Sequence, residues 1–397
     1  MENYLVGSET ARMVKLGHPW VIADRYTKKW PTGKAGAVIG LVDEKNNYLA
    51  TALYDPKDRI VARILQLGKF QLTREWFEQK LQQAKQLRQH ARLEETDAYR
   101  WLNGEGDGLP GVTVDCYGDY LMLQLYTPAW DAHLDKLTAA LQSVFQPKGI
   151  YRKLRPQETR ALEAQKKSKE YSRLIAGTTA PVPLEVVENG LKYLVDLREG
   201  LNTGLFPDQR RNRLELMGRA AGKRVLNLFA FTGAFSVAAA AAGAKRVTSV
   251  DVSKKYLQVA RDNFSINRLN PKQHDFVVAD VFTELTRMQE QGRRFDVILF
   301  DPPSFSTTRK SRFSTHGGTA RLVAATLPLL ERGGLLISSS NHQKVSLDDY
   351  LKELRRGALQ AGHDLKTIFT GGQPEDFPCS VSFPEGRYLK FVINVKS

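Results

Sequence analysis

The sequence predicts an α/β fold in which a doubly wound parallel sheet follows a small β-barrel and a small α+β unit. Three observations carry this prediction. After residue 224, five short apolar runs alternate with helical patterns, as parallel strands alternate with their crossover helices. Residues 1–75 instead alternate apolar and polar positions between turn signals, the pattern of short antiparallel strands. Residues 99–154 combine a hairpin, one helix and a final strand, which is typical of a small α+β module.

The elements of the first two units follow from local patterns. Short strands are expected in GHPWVIADRY, GAVIGLVDEKNNYLATALYDP and RIVARILQL, separated by turn residues. A helix with a charged exposed face is expected from Thr73 to His90. A hairpin closes at Tyr117-Gly118-Asp119, and a helix from Leu134 to Phe145 precedes the strand GIYRKL. We therefore expect a β-barrel domain at 1–75 and an α+β domain at 76–185.

The third unit, residues 186–397, contains the parallel sheet. A hairpin in VVENGLKYLVDL comes first, and a helix follows the segment REGLNTGLFPDQRRNR. Five buried strands are then expected in RVLNLF, RVTSVDV, HDFVVAD, FDVILFD and GGLLISSS. The segments DLKTIFTG and GRYLKFVINV suit an antiparallel pair that closes the sheet. This order of elements predicts a Rossmann-like domain.

The charge of the chain indicates a polyanionic partner. The 397 residues carry a formal net charge of +15, and the run from Arg152 to Arg173 holds eight Lys or Arg against three Glu. Arg152, Lys153 and Arg155 in this run are candidates for contacts with RNA phosphates. The alternative is a solvated helix face with no partner.

Cysteine content and hydropathy exclude several classes of protein. The two cysteines, Cys116 and Cys379, exclude a disulfide framework and a CxxC metal site, so we expect a reducing compartment and no metal. The apolar stretches are far too short for a membrane span, and the N-terminus lacks a signal pattern. We expect a cytoplasmic protein with no membrane partner.

The first strand of the parallel sheet leads into a turn suited to cofactor binding. The strand RVLNL runs into AFTG, where Gly233 permits a tight turn and close approach to a ligand. Asn227, Thr232 and Gly233 at this strand end are candidate cofactor contacts. Asp251 follows about twenty residues past the turn, where such folds meet ribose hydroxyls. The glycines are too few to cradle a pyrophosphate, which favours S-adenosylmethionine (SAM) over NAD.

Polar side chains also follow the other strands of the predicted sheet. Because ligands bind beyond the carboxyl ends of parallel strands, these side chains should line one site. Asp251 would accept hydrogen bonds from the ribose, and Asp280 with Val281 would meet the adenine. The fourth strand ends at Asp301 and the fifth near Asn341. The alternative role for each aspartate is to cap the helix that follows.

The segment after the fourth strand is stiff. In Asp301-Pro-Pro-Ser-Phe305, two prolines fix the backbone and would hold Asp301 and Phe305 at the mouth of the site. Such a segment beside a methyl donor can stack a flipped base and bind its edge. Three basic residues just beyond it are placed to contact phosphates: Arg309, Lys310 and Arg312. A simple proline turn after a strand is the alternative.

From end to end the chain resembles the bacterial large-subunit (23S) rRNA methyltransferases with PUA, EEHEE and Rossmann-like domains. The motifs GHPWV, NGEGDGLPGVTVDCYGD, LNTGLFPDQRRNR, VLNLFAFTGAFSVAAAAAGA, FDVILFDPPSF and FPEGRYLK lie in the family's order, with Asn202 where lysine is common. The resemblance implies SAM as cofactor, 23S rRNA as substrate and a homodimer. It also places four further residues around SAM: Phe206, Gln209, Arg210 and Phe229.

One departure from the family bears on the target atom. Members that methylate C5 of cytosine carry Ser-Cys-Ser after the fifth strand, because a thiolate must attack C6. Here the strand ends in SSSN, with Asn341 at the cysteine's place, which resembles the branch that methylates N7 of guanine. We therefore expect guanine N7 as the target, with Asn341 on the guanine edge and Asp301 accepting from its N1 and amino protons.

Two alternatives remain open from the sequence. The first is methylation of cytosine C5 with Cys379 brought in by a loop. The second belongs to another class of protein, a non-catalytic RNA-binding factor for ribosome assembly that has lost SAM. That class predicts a decayed donor pocket, whereas Asp251, Asp280 and the FTG turn are present.

Overall fold

A computed structural model describes residues 1–154, 171–303, 305–307 and 312–397, with the backbone alone at 305–307 and 312–316. Arg155, Arg309 and Lys310 of the predicted RNA-binding set lie outside the described residues. Within the described part of the chain, no helix combines the length and the apolar character needed to cross a bilayer.

The N-terminal part contains a five-stranded sheet in the order β1-β3-β4-β5-β2. Its elements are β1 (Asn3–Leu5), α1 (Ser8–Lys15), β2 (Trp20–Ile22), β3 (Val38–Val42), β4 (Tyr48–Tyr54) and β5 (Ile60–Leu67). The alternating apolar positions of β3 to β5 bury one continuous cluster around Leu41 and Ala52. The helix α1 is an addition to the predicted strands, because its few apolar residues, chiefly Ala11 and Val14, bury a single narrow face.

The middle part forms a second five-stranded sheet in the order β10-β9-β8-β7-β6, with two helices on one face. Its elements are α2 (Arg74–Leu87), β6 (Ala98–Asn103), β7 (Val112–Tyr117), β8 (Tyr120–Leu125), α3 (Leu134–Phe145), β9 (Gly149–Lys153) and β10 (Ser172–Gly177). Thr73 accepts a hydrogen bond from the backbone N–H of Trp76 and so fixes the start of α2. The predicted hairpin between β7 and β8 is present, closed through Tyr117 opposite Tyr120.

The third part holds a seven-stranded sheet in the order β15-β14-β13-β16-β19-β21-β20. A hairpin precedes it, formed by β11 (Leu184–Glu188) and β12 (Leu191–Val195). The sheet strands are β13 (Arg224–Leu228), β14 (Arg246–Asp251), β15 (Asp275–Val278), β16 (Phe295–Phe300), β19 (Leu330–Ser340), β20 (Leu365–Gly371) and β21 (Lys390–Lys396). A short antiparallel pair lies between β16 and β19, made of β17 (Phe305–Thr307) and β18 (Arg312–Ser314).

Helices cover both faces of the seven-stranded sheet. They are α4 (Arg210–Ala220), α5 (Ala234–Ala241), α6 (Lys254–Ile266), α7 (Val281–Glu290), α8 (Thr315–Thr326) and α9 (Leu347–Gln360). Strands β13, β14, β15, β16 and β19 pair in parallel, and β21 is antiparallel to both of its neighbours. The strand order reverses between β13 and β16, which opens a crevice at their carboxyl ends. The predicted α/β class with a Rossmann-like sheet is therefore confirmed, while the exact domain boundaries stay a prediction.

Buried charges tie the middle sheet to the C-terminal segment of the third part. Arg88 forms a bidentate ion pair with Asp107 at 2.6 and 2.8 Å and also donates to the backbone oxygen of Asp376. The carboxylate of Asp376 accepts from Arg210 at 2.6 Å and from the backbone N–H of Arg100 at 2.9 Å. All four charged side chains are almost fully buried. The segment between β20 and β21 is thereby fixed against the middle sheet.

Candidate active site

A cavity of about 430 Å³ opens at the carboxyl ends of β13, β14 and β16. Its walls come from strand ends of the sheet and from the segment before α4. The wall residues used below are Phe206, Asp208, Gln209, Phe229, Phe231, Asp251, Tyr256, Asp280, Val281, Phe282, Asp301, Asn341 and Leu389. The volume lies in the range of small-molecule sites, and the walls combine aromatic faces with a few carboxylates.

The turn after β13 has an unusual backbone. Phe229 and Phe231 have φ angles of 58° and 52°, in the left-handed region that bulky residues seldom adopt. Gly233 has φ 77°, and a Cβ there would lie 2.7 Å from the Cβ of Ala260 on α6. Only glycine fits this position, so α6 packs directly under the turn. Left-handed backbone at bulky residues clusters at ligand sites because the surrounding structure must enforce it.

Asp251 at the end of β14 holds this turn in place. Its Oδ2 accepts the backbone N–H of Phe231 and its Oδ1 accepts that of Ser253, both at 2.9 Å. A carboxylate has about four acceptor sites, so capacity remains for hydroxyl donors of a ligand. Asp251 therefore has a structural role and also faces the cavity.

Asp280 combines the two roles that the sequence left as alternatives. Its Oδ1 accepts the backbone N–H of Thr283 at 3.2 Å and so caps the N-terminus of α7. Asp280 also lines the cavity, together with Val281 and Phe282. The guanidinium of Arg321 lies over the ring of Phe282, 4.1 Å from its centroid, and supports this wall from behind.

Asp301 at the end of β16 is a carboxyl group of the cavity with a strongly raised pKa. The amide of Gln209 donates to its Oδ2 at 2.9 Å and to the hydroxyl of Ser339 at 2.8 Å. Burial and the nearby charge of Asp208 raise the pKa of Asp301 to about 6, against the opposing effect of the hydrogen bonds from Ser339 and Gln209. A carboxyl group with such a pKa, in a cleft, is a typical mark of a reaction site.

A second carboxyl group lies beside Asp301. The Asp208 carboxylate accepts the hydroxyl of Tyr388 at 2.6 Å, and burial raises the pKa of Asp208. Arg213 on α4 supports the same segment through a buried bidentate pair with Glu188 at 2.6 Å and a 2.7 Å hydrogen bond to the backbone oxygen of Phe206. The segment before α4 therefore presents Phe206, Asp208 and Gln209 to the cavity from a rigid base.

Comparison with known proteins bears directly on this cavity. A family model described as S-adenosylmethionine-dependent methyltransferase matches residues 113–380, and a PUA-like domain model matches residues 6–67. The chain belongs to the S-adenosylmethionine-dependent methyltransferase family. It is an enzyme, and its cofactor is SAM.

Relatives and solved structures match the methyltransferase over nearly its whole length. Ribosomal RNA large subunit methyltransferase I of Klebsiella pneumoniae subsp. pneumoniae is 35% identical over 376 residues, covering 94% of this chain and 93% of that protein. The protein of the same name from Yersinia pseudotuberculosis serotype O:1b is 34% identical over 379 residues, with 94% of each covered. A putative methyltransferase solved in complex with SAH is 32% identical to this chain, with a TM-score of 0.89. A putative SAM-dependent methyltransferase from Streptococcus mutans is 31% identical, with a TM-score of 0.86. Each of these two matches covers 100% of this chain and 100% of the solved chain.

Several of the predicted cofactor contacts do not face the cavity of the methyltransferase. Asn227 is buried and donates to Ser236 Oγ at 2.9 Å. Thr232 is buried and donates to the backbone oxygen of Gly204 at 2.5 Å. Gly233 shapes the turn but is not part of the cavity wall. The side chains of Asn227 and Thr232 point into the sheet and helix layers, so these residues and the Gly233 turn support the site from behind.

The prediction that Arg210 contacts SAM is also corrected, because the Arg210 guanidinium points away from the cavity. It is fully buried and bonded to Asp376 and to the backbone oxygen of Arg92. The adjacent Gln209 faces Asp301 instead. Arg210 therefore anchors the start of α4 to the β20–β21 segment and to the connection between α2 and β6, and its burial leaves no guanidinium atom for SAM.

The described basic residues of the predicted RNA surface are not free surface cations. Arg152 is largely buried and pairs with Asp131 at 2.8 Å. Lys153 is 7% exposed and donates to the backbone oxygen of Gly200 at 2.6 Å, and burial lowers the pKa of Lys153 to about 8. The predicted phosphate contact of Lys153 is corrected, because its ammonium lies inside the molecule. For Phe305 and Arg312 the backbone alone is described, and their predicted roles stay predictions.

Neither cysteine lines the main cavity of the methyltransferase. Cys116 is buried in the middle sheet, and burial raises the pKa of its thiol. Cys379 is half-buried, with a pKa also raised by burial, and lies on a neighbouring cavity of about 680 Å³. Leu389 belongs to the walls of both cavities, so Cys379 lies on the far side of that residue.

Sequence reasoning missed several residues of the site, and four of them carry polar or aromatic groups that the chemistry uses. Three of them line the cavity: Asp208, Phe231 and Tyr256. The fourth, Tyr388, donates a hydrogen bond to Asp208. Asp208 could have been found, since it precedes Gln209 in the motif already singled out. Tyr388 also lies in a motif singled out above, FPEGRYLK, but its partner is 180 residues away and is reached only through the tertiary fold.

Proposed function

We propose that this methyltransferase transfers a methyl group from SAM to a base of large-subunit rRNA. The observation that carries the proposal is the similarity over 94% of the chain to proteins named Ribosomal RNA large subunit methyltransferase I, in a chain whose strand-end cavity suits SAM. The PUA-like domain and the net charge of +15 are in keeping with an RNA substrate.

The cavity offers a specific set of contacts for the cofactor. SAM, when bound, supplies an electrophilic methyl group. Asp251 would accept from the ribose hydroxyls and Asp280 from the adenine amino group, with Phe231 and Val281 against the apolar faces. Asp301 and its partner Gln209 would then lie at the end of the cavity where SAM presents its methyl group to the base.

For the target atom, the similarity to these relatives favours C5 of cytosine over N7 of guanine. C5 is a poor nucleophile until a thiolate adds to C6, and it must later lose a proton so that the thiol can leave. Cys379 is the nearest candidate among the described residues, and its raised pKa requires a base or a substrate-induced shift to form the thiolate. Movement of the segment that carries Cys379 past Leu389 would be needed to reach the main cavity.

Guanine N7 is the second candidate, and one observation favours it. Asn341, and no cysteine of the described residues, lies on the wall of the main cavity at the end of β19. N7 carries its own lone pair, so the protein has only to orient the base and exclude water. The similarity to the relatives gives this candidate no support.

The product of the reaction distinguishes the candidates. Unmodified large-subunit rRNA and labelled SAM would be incubated with the protein, and the rRNA digested to nucleosides for mass spectrometry. 5-Methylcytidine that disappears in Cys379→Ser and persists in Asn341→Ala would support the covalent route. 7-Methylguanosine that disappears in Asn341→Ala and persists in Cys379→Ser would support the guanine route.

Absence of any methylated product, with stoichiometric SAM binding intact, would refute rRNA as the substrate. Absence of SAM binding would contradict the cavity contacts proposed here for the cofactor. A homodimer is a further part of the proposal, and sedimentation of the protein alone, with and without rRNA, tests it.

A further inference from the structure

A third cavity adjoins the main one and is not explained by cofactor binding. It has a volume of about 350 Å³ and lies between the middle sheet and the segment before α4. Asn202, Phe206 and Asp208 belong to the walls of both cavities, so the two spaces meet at these residues. We call it the interdomain cavity. Its size falls within the range of small-molecule sites.

The middle sheet contributes a polar strip to this cavity. In the sheet register Arg100 lies opposite Asp115, and Gln124 lies opposite Lys153. The same face also carries Tyr117, Met122 and Tyr151, which are buried against the apolar core of the third part. Polar groups within such an interface are costly unless something bonds to them. A polar ligand in the cavity would therefore be stabilised by hydrogen bonds to this strip.

Two members of the strip have hydrogen-bonding capacity to spare. Gln124 is half-buried, and its amide makes no hydrogen bond to any described residue. Lys153 has Gly200 as its sole hydrogen-bond acceptor within the described ranges, which leaves ammonium protons available. Arg100, in contrast, is satisfied by Asp115 and Asn103. The spare donors and acceptors are thus on the Gln124 and Lys153 side.

The opposite side of the cavity supplies an acceptor and flat apolar faces. Asp208 provides the acceptor, and Phe377 and Phe206 provide aromatic rings. Phe206 is 40% exposed, which is high for a phenylalanine, and it stands at the junction with the main cavity. A planar group with both donors and acceptors on its edge would match these walls. Nucleobases have this chemistry, and enzymes that modify bases read them by edge hydrogen bonds and stacking.

We propose that the interdomain cavity receives the target nucleotide after it is extruded from the RNA, and that Gln124 and Lys153 bind its edge. The base would enter through the interdomain cavity and extend past Phe206, at the junction of the two cavities, so that its reacting atom lies in the main cavity. This inference rests on the proposed function, since it states where the rRNA base enters. It gives the middle sheet a direct part in substrate selection.

The test uses two variants and a matched control in the full-length protein. Gln124→Ala removes the amide, and Leu201→Trp fills the cavity from a position that is 51% exposed and so tolerates a larger side chain. Gln142→Ala is the control, because Gln142 is exposed on α3 of the same part of the chain. Each variant would be measured for SAM affinity, thermal stability and methyl transfer to unmodified rRNA.

We expect Gln124→Ala to lower kcat/KM for rRNA by roughly tenfold, the loss of one to two substrate hydrogen bonds. Leu201→Trp should lower it by roughly tenfold or more, because the larger side chain occupies the space of the base. SAM affinity and melting temperature should stay within twofold and about 2 °C of wild type, and Gln142→Ala should behave as wild type. Activity of Gln124→Ala and Leu201→Trp equal to that of the control would overturn the proposal.

A separate measurement keeps the proposal testable if wild-type protein fails to methylate rRNA, an outcome that refutes the proposed function. Binding of CMP and GMP to protein saturated with SAH would be followed by NMR. Binding by the wild type that Gln124→Ala weakens would support the interdomain cavity as a nucleotide site. Equal binding by both proteins, or none by the wild type, would overturn it.

Discussion

Replacing Asp301 by asparagine is expected to stabilise the ligand-free protein at neutral pH while it removes methyl transfer. Desolvation at the cavity wall raises the pKa of the Asp301 carboxyl group from 3.8 to about 6. The folded protein therefore binds the proton more tightly than the unfolded chain does. In wild type, this contribution to stability declines as the pH rises from 3.8 to about 6 and is absent above it.

The size of the effect follows from the pKa. At about 1.4 kcal/mol for each tenfold change in proton affinity, the change from 3.8 to about 6 corresponds to roughly 3 kcal/mol. Because the side chain is half-buried at the cavity wall, solvent screening reduces the expected gain to about 1 to 2 kcal/mol. Asparagine keeps an oxygen to accept from Gln209, so the hydrogen bond survives. A rise in melting temperature of roughly 3 °C should result.

The assay is calorimetry of the ligand-free wild type and variant at pH 7.5 and pH 4.5. The gain should be present at pH 7.5 and largely vanish at pH 4.5, where Asp301 is protonated in the folded wild type. Asp262→Asn is the control, since Asp262 lies on the surface and accepts from Gln258 alone within the described ranges. A gain of the same size at both pH values, or a loss at pH 7.5, would refute this account of Asp301.

Three further predictions test the site. Asp251→Ala should weaken SAM binding by tenfold or more in calorimetric titration, because it also releases the turn held through Phe231; unchanged affinity would exclude a ribose contact. Gly233→Ala should lower the free energy of unfolding by about 2 kcal/mol, and Gly243→Ala, also at positive φ but in open space, by about 1 kcal/mol or less; equal losses in urea unfolding would contradict the packing argument. Arg213→Ala should cost about 3–5 kcal/mol, because a buried carboxylate loses its partner; a loss below 1 kcal/mol would show that the pair is not tightly buried.

The sequence predicted the sheet strands well because their apolar runs are short, bounded by turn residues and repeated. The helix Leu134–Phe145 was also predicted, since its apolar residues recur at helical spacing. The helix α1 was missed because its polar residues outnumber the two buried positions, Ala11 and Val14. Local pattern thus sufficed where an element buries a broad face, and failed where tertiary contact stabilises a narrow one.

The site residues show the same limit more sharply. Gln209 and Arg210 are neighbours in one motif, yet Gln209 meets Asp301 and Arg210 meets Asp376 on the other side. Lys153 stands in a basic run that indicated a surface, but the sheet register turns its side chain inward. The direction of a side chain depends on what packs against its element, and that information lies far away in the chain.

The buried ion pairs around Asp376 limit how the enzyme could be divided or recombined. Arg88 and Asp107 come from the middle part, and Arg210 and Asp376 from the third. A graft that exchanged the middle module for another would keep the Arg210–Asp376 ion pair but remove the Arg88 guanidinium, and so leave the buried backbone oxygen of Asp376 without that donor. A functional chimaera should therefore keep Arg88 and Asp107 together with the catalytic domain. Substrate preference and cofactor binding would then be transferred together.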